Sequence, residues 1–297
     1  MTDGRAGIDA GLVGRLVADQ FPQWAGLPIV PAEFEGWDNR TYRLGDRMTV
    51  RLPTAEGYAA AVDKENLWIP RLAPGLPVAV PPILGRGRPA FGYAYPWSIR
   101  GWLPGETAGR AGLTDRTGFA ADVAAFIRAL QLCDPVGGPE AGRHSWYRGC
   151  PPGYYDEETR RCLARLDGHP GVDTATAAAV WAEALAATWT GAPVWFHGDI
   201  AVGNLLVVDG RLSAVIDFGT SGVGDPACDL VIAWTFLTGD SRRAFREAVA
   251  HDDATWARAR GWALWKALLV LVGALDRDDR TEAADCERVI AEILRDR

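Results

Sequence analysis

Three oxygen-bearing side chains in residues 197–219 could act together in catalysis: Asp199, Asn204 and Asp217. A carboxylate held near a hydroxyl group can take its proton. An amide oxygen and a carboxylate are hard ligands of the kind that Mg²⁺ prefers. These residue types therefore suit proton transfer beside a bound magnesium ion, provided that the fold brings the three side chains together.

A β-hairpin predicted within this segment would bring them together. Two apolar runs, 205–208 and 211–216, flank Asp209-Gly210, a dipeptide typical of two-residue hairpin turns. Such a turn places Val208 opposite Arg211. The open end of the hairpin then falls at the residues of interest.

Counting back from the turn places Asn204 opposite Val215. Because side chains alternate between the faces of a strand, Asp217 should point to the same face as Asn204, as its diagonal neighbour. Diagonal neighbours lie within joint reach of one hard cation. Asp199, five residues before Asn204, lies in the loop that enters the same end of the hairpin. The pattern predicts a magnesium site there.

The elements around this hairpin divide the chain into a β-rich half and a helical half. Up to residue 101 the sequence predicts strands at 34–37, 41–44 and 48–52, turns at Asp38-Asn39 and Gly45-Asp46, and one helix at 55–72. Beyond it, helical periodicity covers 115–132, 156–166, 174–189, 244–250, 254–275 and 281–294. We expect an α+β, two-lobed protein with an N-terminal lobe at 1–101 and a helical C-terminal lobe at 102–297.

The composition excludes several classes of protein. The chain has 297 residues, a formal net charge of −7 and no block rich in Lys or Arg, so nucleic acid is not expected as a partner. Five widely spaced cysteines without a CxxC pair predict neither a disulfide framework nor a cysteine-rich zinc site. Lys266 interrupts the apolar run 263–274, and the N-terminus lacks an apolar signal core, so we expect a cytoplasmic protein without a membrane span.

The spacing of the three side chains resembles that of the aminoglycoside phosphotransferase family, within the wider protein-kinase-like superfamily. In protein kinases the catalytic Asp precedes an Asn metal ligand by five residues, and an Asp-Phe-Gly motif follows. Asp199, Asn204 and Asp217-Phe218-Gly219 have this spacing. Residues 224–230 (Gly-Asp-Pro-Ala-Cys-Asp-Leu) look like the segment that follows the metal-binding Asp in this family. The N-terminal half of the chain matches only loosely.

The resemblance implies a role for each of these residues and a two-lobed, kinase-like fold. Asp199 would be the catalytic base, Asn204 and Asp217 would bind Mg²⁺, and His197 would brace the catalytic loop. The nucleotide would be ATP, with GTP as an open alternative. In the structural alternative, Asp199 and Asn204 only cap turns. The agreement of Asp199, Asn204 and Asp217 with the kinase spacing would then be a coincidence.

Residues 225–239 predict a helix that supports this loop. Asp225-Pro226 is typical of a helix start with the acid as N-cap, and Gly239 marks the end. Asp229 shares a face with Ile232 and Phe236, so it should be buried and must find a polar partner. We expect Asp229 to support the catalytic loop and not to contact the substrate.

The N-terminal lobe should supply a cation for the nucleotide phosphates and a carboxylate that pairs with it. The strand at 48–53 offers Arg51 where a lysine is usual. Glu65 falls on the apolar face of the following helix, where an unpaired carboxylate is costly, and Arg51 is its expected partner. The alternative is that Lys64 contacts the phosphate and Arg51 is an ordinary strand residue.

The other nucleotide contacts leave weaker traces in the sequence. Residues 36–39 (Gly-Trp-Asp-Asn) are the one candidate for a glycine-rich phosphate loop, and no GxxxxGK[ST] motif occurs. The resemblance implies that backbone groups of the connector between the lobes bind adenine. The matching residues are Gly101, Trp102 and Leu103.

An acceptor must reach Asp199 from the helical lobe. Asp156, Glu157 and Glu158 begin a predicted helix and could bind the ammonium groups of an aminosugar antibiotic. Alternatively they serve the helix, Asp156 as its N-cap and the glutamates through the helix dipole. The thirteen tryptophans would suit a macrolide if several lined the cleft.

We therefore predict an ATP-dependent, Mg²⁺-requiring phosphotransferase that acts on a hydroxyl of a small molecule, most simply an aminoglycoside-type or other antibiotic. A metabolic kinase for a sugar or an amino alcohol is the first alternative. A nucleotide-binding pseudokinase is the second, which Arg51 and the sparse glycine loop would suit. The complete trio of Asp199, Asn204 and Asp217 argues against it, because a protein that only binds nucleotide needs no base.

Overall fold

The computed structural model describes residues 7–32 and 38–296. Its helices α1–α9 span Ala10–Gln20, Glu56–Leu72, Arg116–Gln131, Asp156–Arg165, Thr174–Ala186, Ile232–Thr235, Gly239–Val249, Asp253–Asp276 and Arg280–Arg295. Its strands β1–β10 span Ile29–Pro31, Asn39–Leu44, Met48–Pro53, Ile83–Gly87, Trp97–Gly101, Glu106–Thr107, Val194–Phe196, Leu205–Val208, Arg211–Val215 and Gly222–Gly224. They form one five-stranded sheet near the N-terminus and two small sheets among the later helices.

The five-stranded sheet is antiparallel, with the strand order β1-β2-β3-β5-β4. The sequence predicts β2 and β3, and Leu44 pairs with Met48 across their turn. That turn therefore has three residues and not the predicted two, and Gly45 takes a left-handed backbone (φ 56°) that costs a glycine little. Asn39 begins β2 and is not part of a turn, and the strand predicted at 34–37 lies outside the described residues.

Helix α1 contradicts the prediction of a single helix in the first hundred residues. Its start is well marked, because the Asp9 side chain accepts a hydrogen bond from the N–H of Leu12 (2.7 Å). Its buried residues share one apolar core with the sheet, and the Tyr42 hydroxyl donates to the Ile8 carbonyl (2.7 Å). Apolar residues at 12, 13, 16 and 17 are the helical signal that sequence reading overlooked.

The helical lobe matches the prediction in four elements and departs from it in three. The bounds of α3, α4, α8 and α9 lie within one residue of those predicted, whereas α5 ends early at Ala186 and α7 begins early at Gly239. The helix predicted at 225–239 is a 3₁₀ turn at Pro226–Leu230 followed by the short α6. The chain breaks there because Thr238 and Ser241 form a capping box that starts α7.

The hairpin of β8 and β9 has the predicted turn. Val208 lies opposite Arg211, as the Asp209-Gly210 dipeptide requires. Both turn residues adopt positive φ angles, 51° at Asp209 and 75° at Gly210. This is the backbone that a two-residue hairpin turn needs to match the twist of its strands.

The open end of the hairpin does not have the predicted register. A bulge between Leu206 and Val207 shifts the pairing by one residue, so Leu205 and not Asn204 faces Val215. The Asn204 carbonyl instead accepts the N–H of Ile216 (2.9 Å). This hydrogen bond places Asn204 beside the residue that precedes Asp217.

Two apolar cores lie in the described part of the chain. The smaller joins α1 to strands of the five-stranded sheet, and the larger fills the helical lobe. Trp68, Ile69 and Leu72 of α2 belong to the larger core, so this helix packs on the helical lobe although it lies between strands β3 and β4 in sequence. All five cysteines are unpaired thiols. Within residues 7–32 and 38–296, no helix combines the length and apolar character that crossing a membrane requires.

Candidate active site

Asp199 and Asn204 are in direct contact in the loop between β7 and β8. The Asn204 side-chain Nδ2 donates to Asp199 Oδ2 at 2.9 Å and to the Asp199 carbonyl at 3.0 Å. The backbone N–H of Asn204 donates to the carbonyl of Ala201 (2.8 Å) and closes the turn. These contacts engage the amide nitrogen, so the amide oxygen is the Asn204 atom suited to a hard cation.

Asp229 braces the loop that carries Asp199. Its fully buried carboxylate accepts the backbone N–H groups of His197 (2.7 Å) and Gly198 (2.6 Å). Burial raises the pKa of Asp229 to about 6, against the opposing effects of His197 and of these N–H donors. The carboxylate thus fixes the peptide immediately before Asp199, which is the supporting position that the sequence predicts for Asp229.

His197 and Gly198 belong to the loop that carries Asp199 and stabilise its backbone. His197 is fully buried, its Nδ1 accepts the N–H of Asp199 (3.2 Å), and its Nε2 donates to the Ile216 carbonyl (3.1 Å). Gly198 has a φ angle of 84°, and a Cβ atom there would lie 2.9 Å from Thr220 Oγ1. A side chain at this position would therefore displace the loop.

Replacing Asp229 with Asn should loosen the catalytic loop. An amide oxygen can replace only one of the two carboxylate acceptors, so a buried N–H group loses its partner. We expect the free energy of unfolding to fall by about 1–3 kcal/mol. Turnover should fall by roughly tenfold, because small displacements of a catalytic group are costly.

Urea unfolding and steady-state kinetics measure these two effects of Asp229→Asn. The matched control is Asp240→Asn, which changes an 81 % exposed acid of α7 and should alter neither quantity. Wild-type stability and turnover in Asp229→Asn would show that the two backbone hydrogen bonds do not hold the loop.

Asp217 faces Arg51, a residue of the N-terminal sheet. Arg51 Nη2 donates to Asp217 Oδ1 at 3.1 Å. Asp217 has a φ angle of 67°, a left-handed backbone that is uncommon for a residue other than glycine and clusters at functional sites. Burial acts to raise the pKa of Asp217, but Arg51 outweighs it and holds this pKa below its ordinary value. Asp217 is therefore an anion beside a cation of the other lobe.

Asn204 and Asp217 carry the types of oxygen donor that a magnesium ion arriving with a nucleotide would need. In the described part of the chain, no group of three or more His, Cys, Asp or Glu side chains is arranged to hold a metal. Mg²⁺ commonly takes one or two protein oxygens and completes its shell with phosphate and water. One amide oxygen and one carboxylate are the donors that this mode of binding needs.

Glu65 has a different chief partner from the one predicted. Arg100 binds both of its carboxylate oxygens, at 2.9 and 2.7 Å, and both side chains are buried. Arg51 Nη1 lies 3.8 Å from Glu65 Oε1 and is a secondary contact. Sheet register explains the pair, because Thr49 lies opposite Arg100 and Arg51 opposite Ser98, which places both arginines on the face toward α2.

Residues 31–262 match the model of the phosphotransferase enzyme family. The chain belongs to this family. The match covers the sheet, the catalytic loop and the hairpin. A curated relative, the aminoglycoside 3'-phosphotransferase of Escherichia coli, is 42% identical over 45 residues, which is 15% of this chain and 17% of that enzyme.

Solved structures of other phosphotransferases share the fold. The GDP complex of wild-type aminoglycoside 2'-phosphotransferase-IIIa is 16% identical, with a TM-score of 0.71 over 97% of this chain and 99% of that one. The macrolide 2'-phosphotransferase MphH from Brachybacterium faecium is 23% identical, with a TM-score of 0.58 over 95% and 97%. This member of the phosphotransferase enzyme family thus has the two-lobed, kinase-like α+β fold that its sequence predicts.

Lys64, the alternative phosphate contact in this phosphotransferase family member, is engaged within the protein. Its Nζ donates to the carbonyls of Gly219 (2.7 Å) and Ser221 (2.8 Å) and contacts His144 Nδ1 (3.1 Å). Burial lowers the pKa of Lys64 to about 8. The ammonium ties α2 to the backbone that follows Asp217. This arrangement favours Arg51 over Lys64 as the candidate phosphate contact.

The Arg51→Ala variant should weaken nucleotide binding by about tenfold or more, as expected for a lost charge-assisted hydrogen bond. Arg51→Lys should retain part of the affinity, because an ammonium keeps the charge but not the paired donors. A fluorescent nucleotide titration measures both. Arg161→Ala, on the exposed face of α4, is the control. Unchanged nucleotide affinity in Arg51→Ala would remove Arg51 from the phosphate site.

The predicted adenine-binding connector begins at Gly101, the last residue of β5. The N–H of Gly101 donates to the Pro82 carbonyl (2.9 Å), and that of Trp102 donates to the Arg47 carbonyl (2.8 Å). Two of the three predicted residues thus use their backbone donors within the protein. A purine bound here would be recognised through Leu103 and the connector carbonyls.

Half of the predicted phosphate loop lies outside the described residues, which include Asp38 and Asn39 but not Gly36 and Trp37. The Asp38 carbonyl accepts the N–H of Thr54 (2.9 Å). Burial, with a further contribution from Asp217, raises the pKa of Asp38 to about 6. The Asp38 carboxyl therefore lies in the same electrostatic environment as the proposed metal ligand.

The three acidic residues predicted to bind the acceptor all have partners within the protein. Those partners are Arg160 and Trp181 for Asp156, Arg161 for Glu157 and Trp265 for Glu158, at 2.7–3.0 Å. All three lie in the first turn of α4, where acids suit the helix dipole. Asp156 is the first residue of the helix and not its N-cap, which is Tyr155. Their binding of an acceptor stays a prediction.

Two cations that the sequence did not single out, Arg100 and Lys266, belong to the site. Lys266 Nζ lies 3.2 Å from Asp199 Oδ1. Burial acts to raise the pKa of Asp199, but Lys266, with His197 and Arg148, holds it below its ordinary value. A single cation in the apolar run 263–274 was the available signal, although sequence alone cannot say what it faces.

Proposed function

We propose that the protein is an O-phosphotransferase that moves the γ-phosphate of ATP to a hydroxyl group of a small molecule, most simply an aminoglycoside-type or other antibiotic. Membership of the phosphotransferase enzyme family supports this class of reaction. The observation that carries the proposal is the contact of Asp199 with Asn204, beside the Asp217–Arg51 pair that joins the two lobes. These contacts support a site in which Asp199 is the base, Asn204 and Asp217 are the metal ligands and Arg51 is the phosphate-binding cation.

Asp199 is the proposed proton acceptor in the transfer. The acceptor oxygen forms a bond to the γ-phosphorus while the bond from that phosphorus to the bridging oxygen breaks and ADP leaves. The hydroxyl proton passes to the Asp199 carboxylate, which Asn204 and the braced loop hold in position. The Asp199 carboxylate is ionised at neutral pH, since its pKa lies below the ordinary value for Asp.

Asn204 and Asp217 would hold Mg²⁺, which when bound neutralises charge on the nucleotide phosphates. Arg51 contributes a further positive charge from β3. Arg100 keeps Glu65 paired, so α2 and the sheet hold Arg51 in place. These contacts give the transfer what it chiefly requires, positioning and charge neutralisation.

The nucleotide donor is proposed to be ATP, with GTP as an alternative. Solved relatives with this fold were determined with GDP, with ADP and with ATP together with streptomycin. The connector residues Gly101, Trp102 and Leu103 would bind the base. Dependence on a nucleoside triphosphate suits the cytoplasmic location that we infer for the protein.

A transfer assay with γ-labelled ATP and GTP tests the proposal. The acceptors are aminoglycosides, macrolides, neutral sugars and choline, and mass spectrometry identifies the phosphorylated product. We expect transfer to at least one antibiotic, dependent on Mg²⁺. Transfer to a sugar or amino alcohol alone would establish a metabolic kinase. Nucleotide binding without transfer to any acceptor would favour the pseudokinase.

A further inference from the structure

Lys266 forms an ion pair with Asp199, and the proposed transfer assigns it no contact with the acceptor. Lys266 Nζ contacts Asp199 Oδ1 at 3.2 Å, while Asn204 Nδ2 contacts Oδ2 at 2.9 Å. The two carboxylate oxygens are thus held by residues of different elements, α8 and the catalytic loop. The Lys266 side chain is 49% exposed and that of Asp199 is 34% exposed. The pair therefore lies at the surface that an acceptor must approach.

The neighbours of Lys266 fix its place on α8. Trp265 is buried, donates from Nε1 to Glu158 (2.7 Å) and stacks on Tyr155 with ring centres 4.0 Å apart. The guanidinium carbon of Arg148 lies 4.7 Å from the centre of the Trp265 ring. This packing anchors the backbone from which Lys266 reaches Asp199. It also brings a second cation, Arg148, to the same region.

On the α8 side of the proposed base, the charge is opposite to that expected for an amine-binding site. Lys266 contacts Asp199, and Arg148 packs on the residue next to Lys266. The three acids of α4 are paired with arginines or tryptophans. A cationic acceptor would approach Asp199 beside an ammonium, with the nearby carboxylates of α4 already engaged.

We propose that Lys266 is a specificity-determining residue of the acceptor site. Lys266 holds the Asp199 carboxylate in position for the incoming hydroxyl. It also selects against acceptors that carry an ammonium group next to that hydroxyl. The favoured acceptor is a polyhydroxylated molecule, an aminoglycoside included, whose reacting hydroxyl has no ammonium group on the adjacent carbon. This inference rests on the proposed phosphotransfer, and it narrows the acceptor within it.

The short distance between Lys266 and Asp199 supports selection against an ammonium group next to the reacting hydroxyl. A hydroxyl that gives its proton to Asp199 must come within roughly 3 Å of the carboxylate. Lys266 is already within 3.2 Å of the same carboxylate, so an ammonium on the adjacent carbon of the acceptor would meet it at short range. Placing like charges together is a common way to reject a wrong partner.

Direct binding tests the charge selection without depending on turnover. The probes are kanamycin and its fully N-acetylated derivative, titrated by calorimetry into the wild type, Lys266→Met and Lys266→Glu. Kanamycin should bind Lys266→Glu at least about tenfold more tightly than the wild type, with Lys266→Met between them. The N-acetylated probe should change by less than about threefold, because it carries no ammonium. Arg280→Glu, which makes the same change in net charge at a 91% exposed residue, is the control.

The positioning role has a separate readout in the kinetics of any acceptor that the wild type phosphorylates. Lys266→Met should lower kcat by about tenfold and leave the KM for nucleotide unchanged, and Lys266→Arg should restore part of kcat. Equal kanamycin affinity in all variants, or no detectable binding in any of them, would overturn the charge selection. Unchanged kcat in Lys266→Met would overturn the positioning. Absence of phosphate transfer by the wild type would instead refute the proposed function, and the binding experiment would still decide the charge selection.

Discussion

Turnover of the Asp199→Asn variant should be at least about a hundredfold lower than that of the wild type. A general base typically contributes roughly 10²–10⁴-fold to the rate. The amide oxygen of Asn can still accept the hydrogen bond that Asn204 now gives to Asp199. The substitution therefore removes the proton acceptor and the negative charge while it keeps the shape of the loop. Nucleotide affinity should change little, because the carboxylate serves the acceptor hydroxyl.

Single-turnover kinetics with saturating ATP measure this loss in Asp199→Asn, and a fluorescent nucleotide titration checks affinity. Asp209→Asn, at the hairpin turn, is a matched control, since Asn tolerates the same left-handed backbone. Full activity of Asp199→Asn on a confirmed acceptor would show that positioning alone carries the reaction. A large loss of nucleotide affinity would show that Asp199 serves the donor and not the acceptor.

Removal of the Asp217 carboxylate should abolish Mg²⁺-dependent turnover. Asp217→Asn is the sharper variant, because Asn accepts the left-handed backbone at this position better than Ala does (φ 67°). It keeps an acceptor for Arg51 and loses the charge that the metal requires. We expect turnover to fall below about one thousandth of the wild-type value. The circular dichroism spectrum should be unchanged.

A magnesium titration separates a lost ligand from a lost fold. If Asp217 binds the metal, the Asp217→Asn variant should need far more Mg²⁺ for activity than the wild type does. Added chelator should abolish the activity of both proteins. Asp217→Ala should behave in the same way with a lower stability. An unchanged magnesium requirement in Asp217→Asn would assign the metal to other residues.

The catalytic segment was predictable because its signals are local. Asp209-Gly210 determines a hairpin turn within two residues, and the spacing of Asp199 and Asn204 places them in one loop. The bulge between Leu206 and Val207 was not predictable, since a bulge depends on how the whole strand packs. The predicted register was wrong for that reason, although Asn204 is still hydrogen-bonded to Ile216, the residue before Asp217, at the open end of the hairpin.

Ion pairs between residues far apart in the chain could not be predicted from the sequence. Arg100 and Glu65 are separated by 35 residues, and Lys266 and Asp199 by 67 residues. Sequence reasoning identified Glu65 as a buried acid in need of a partner, but the choice between two arginines depends on the register of β3 with β5. Helix α1 was a different failure, because its N-cap and apolar spacing were visible before the fold was known.

Helix α2 is attached to the two halves of the molecule by different kinds of contact. Its apolar residues join the core of the helical lobe, whereas Glu65 is bonded to Arg100 of the sheet. Loss of this helix would expose apolar surface on one side and leave a buried guanidinium unpaired on the other. We therefore expect the two lobes to unfold together as one cooperative unit. A nucleotide that binds only the folded protein should accordingly raise the melting temperature of the whole chain and not of the sheet alone.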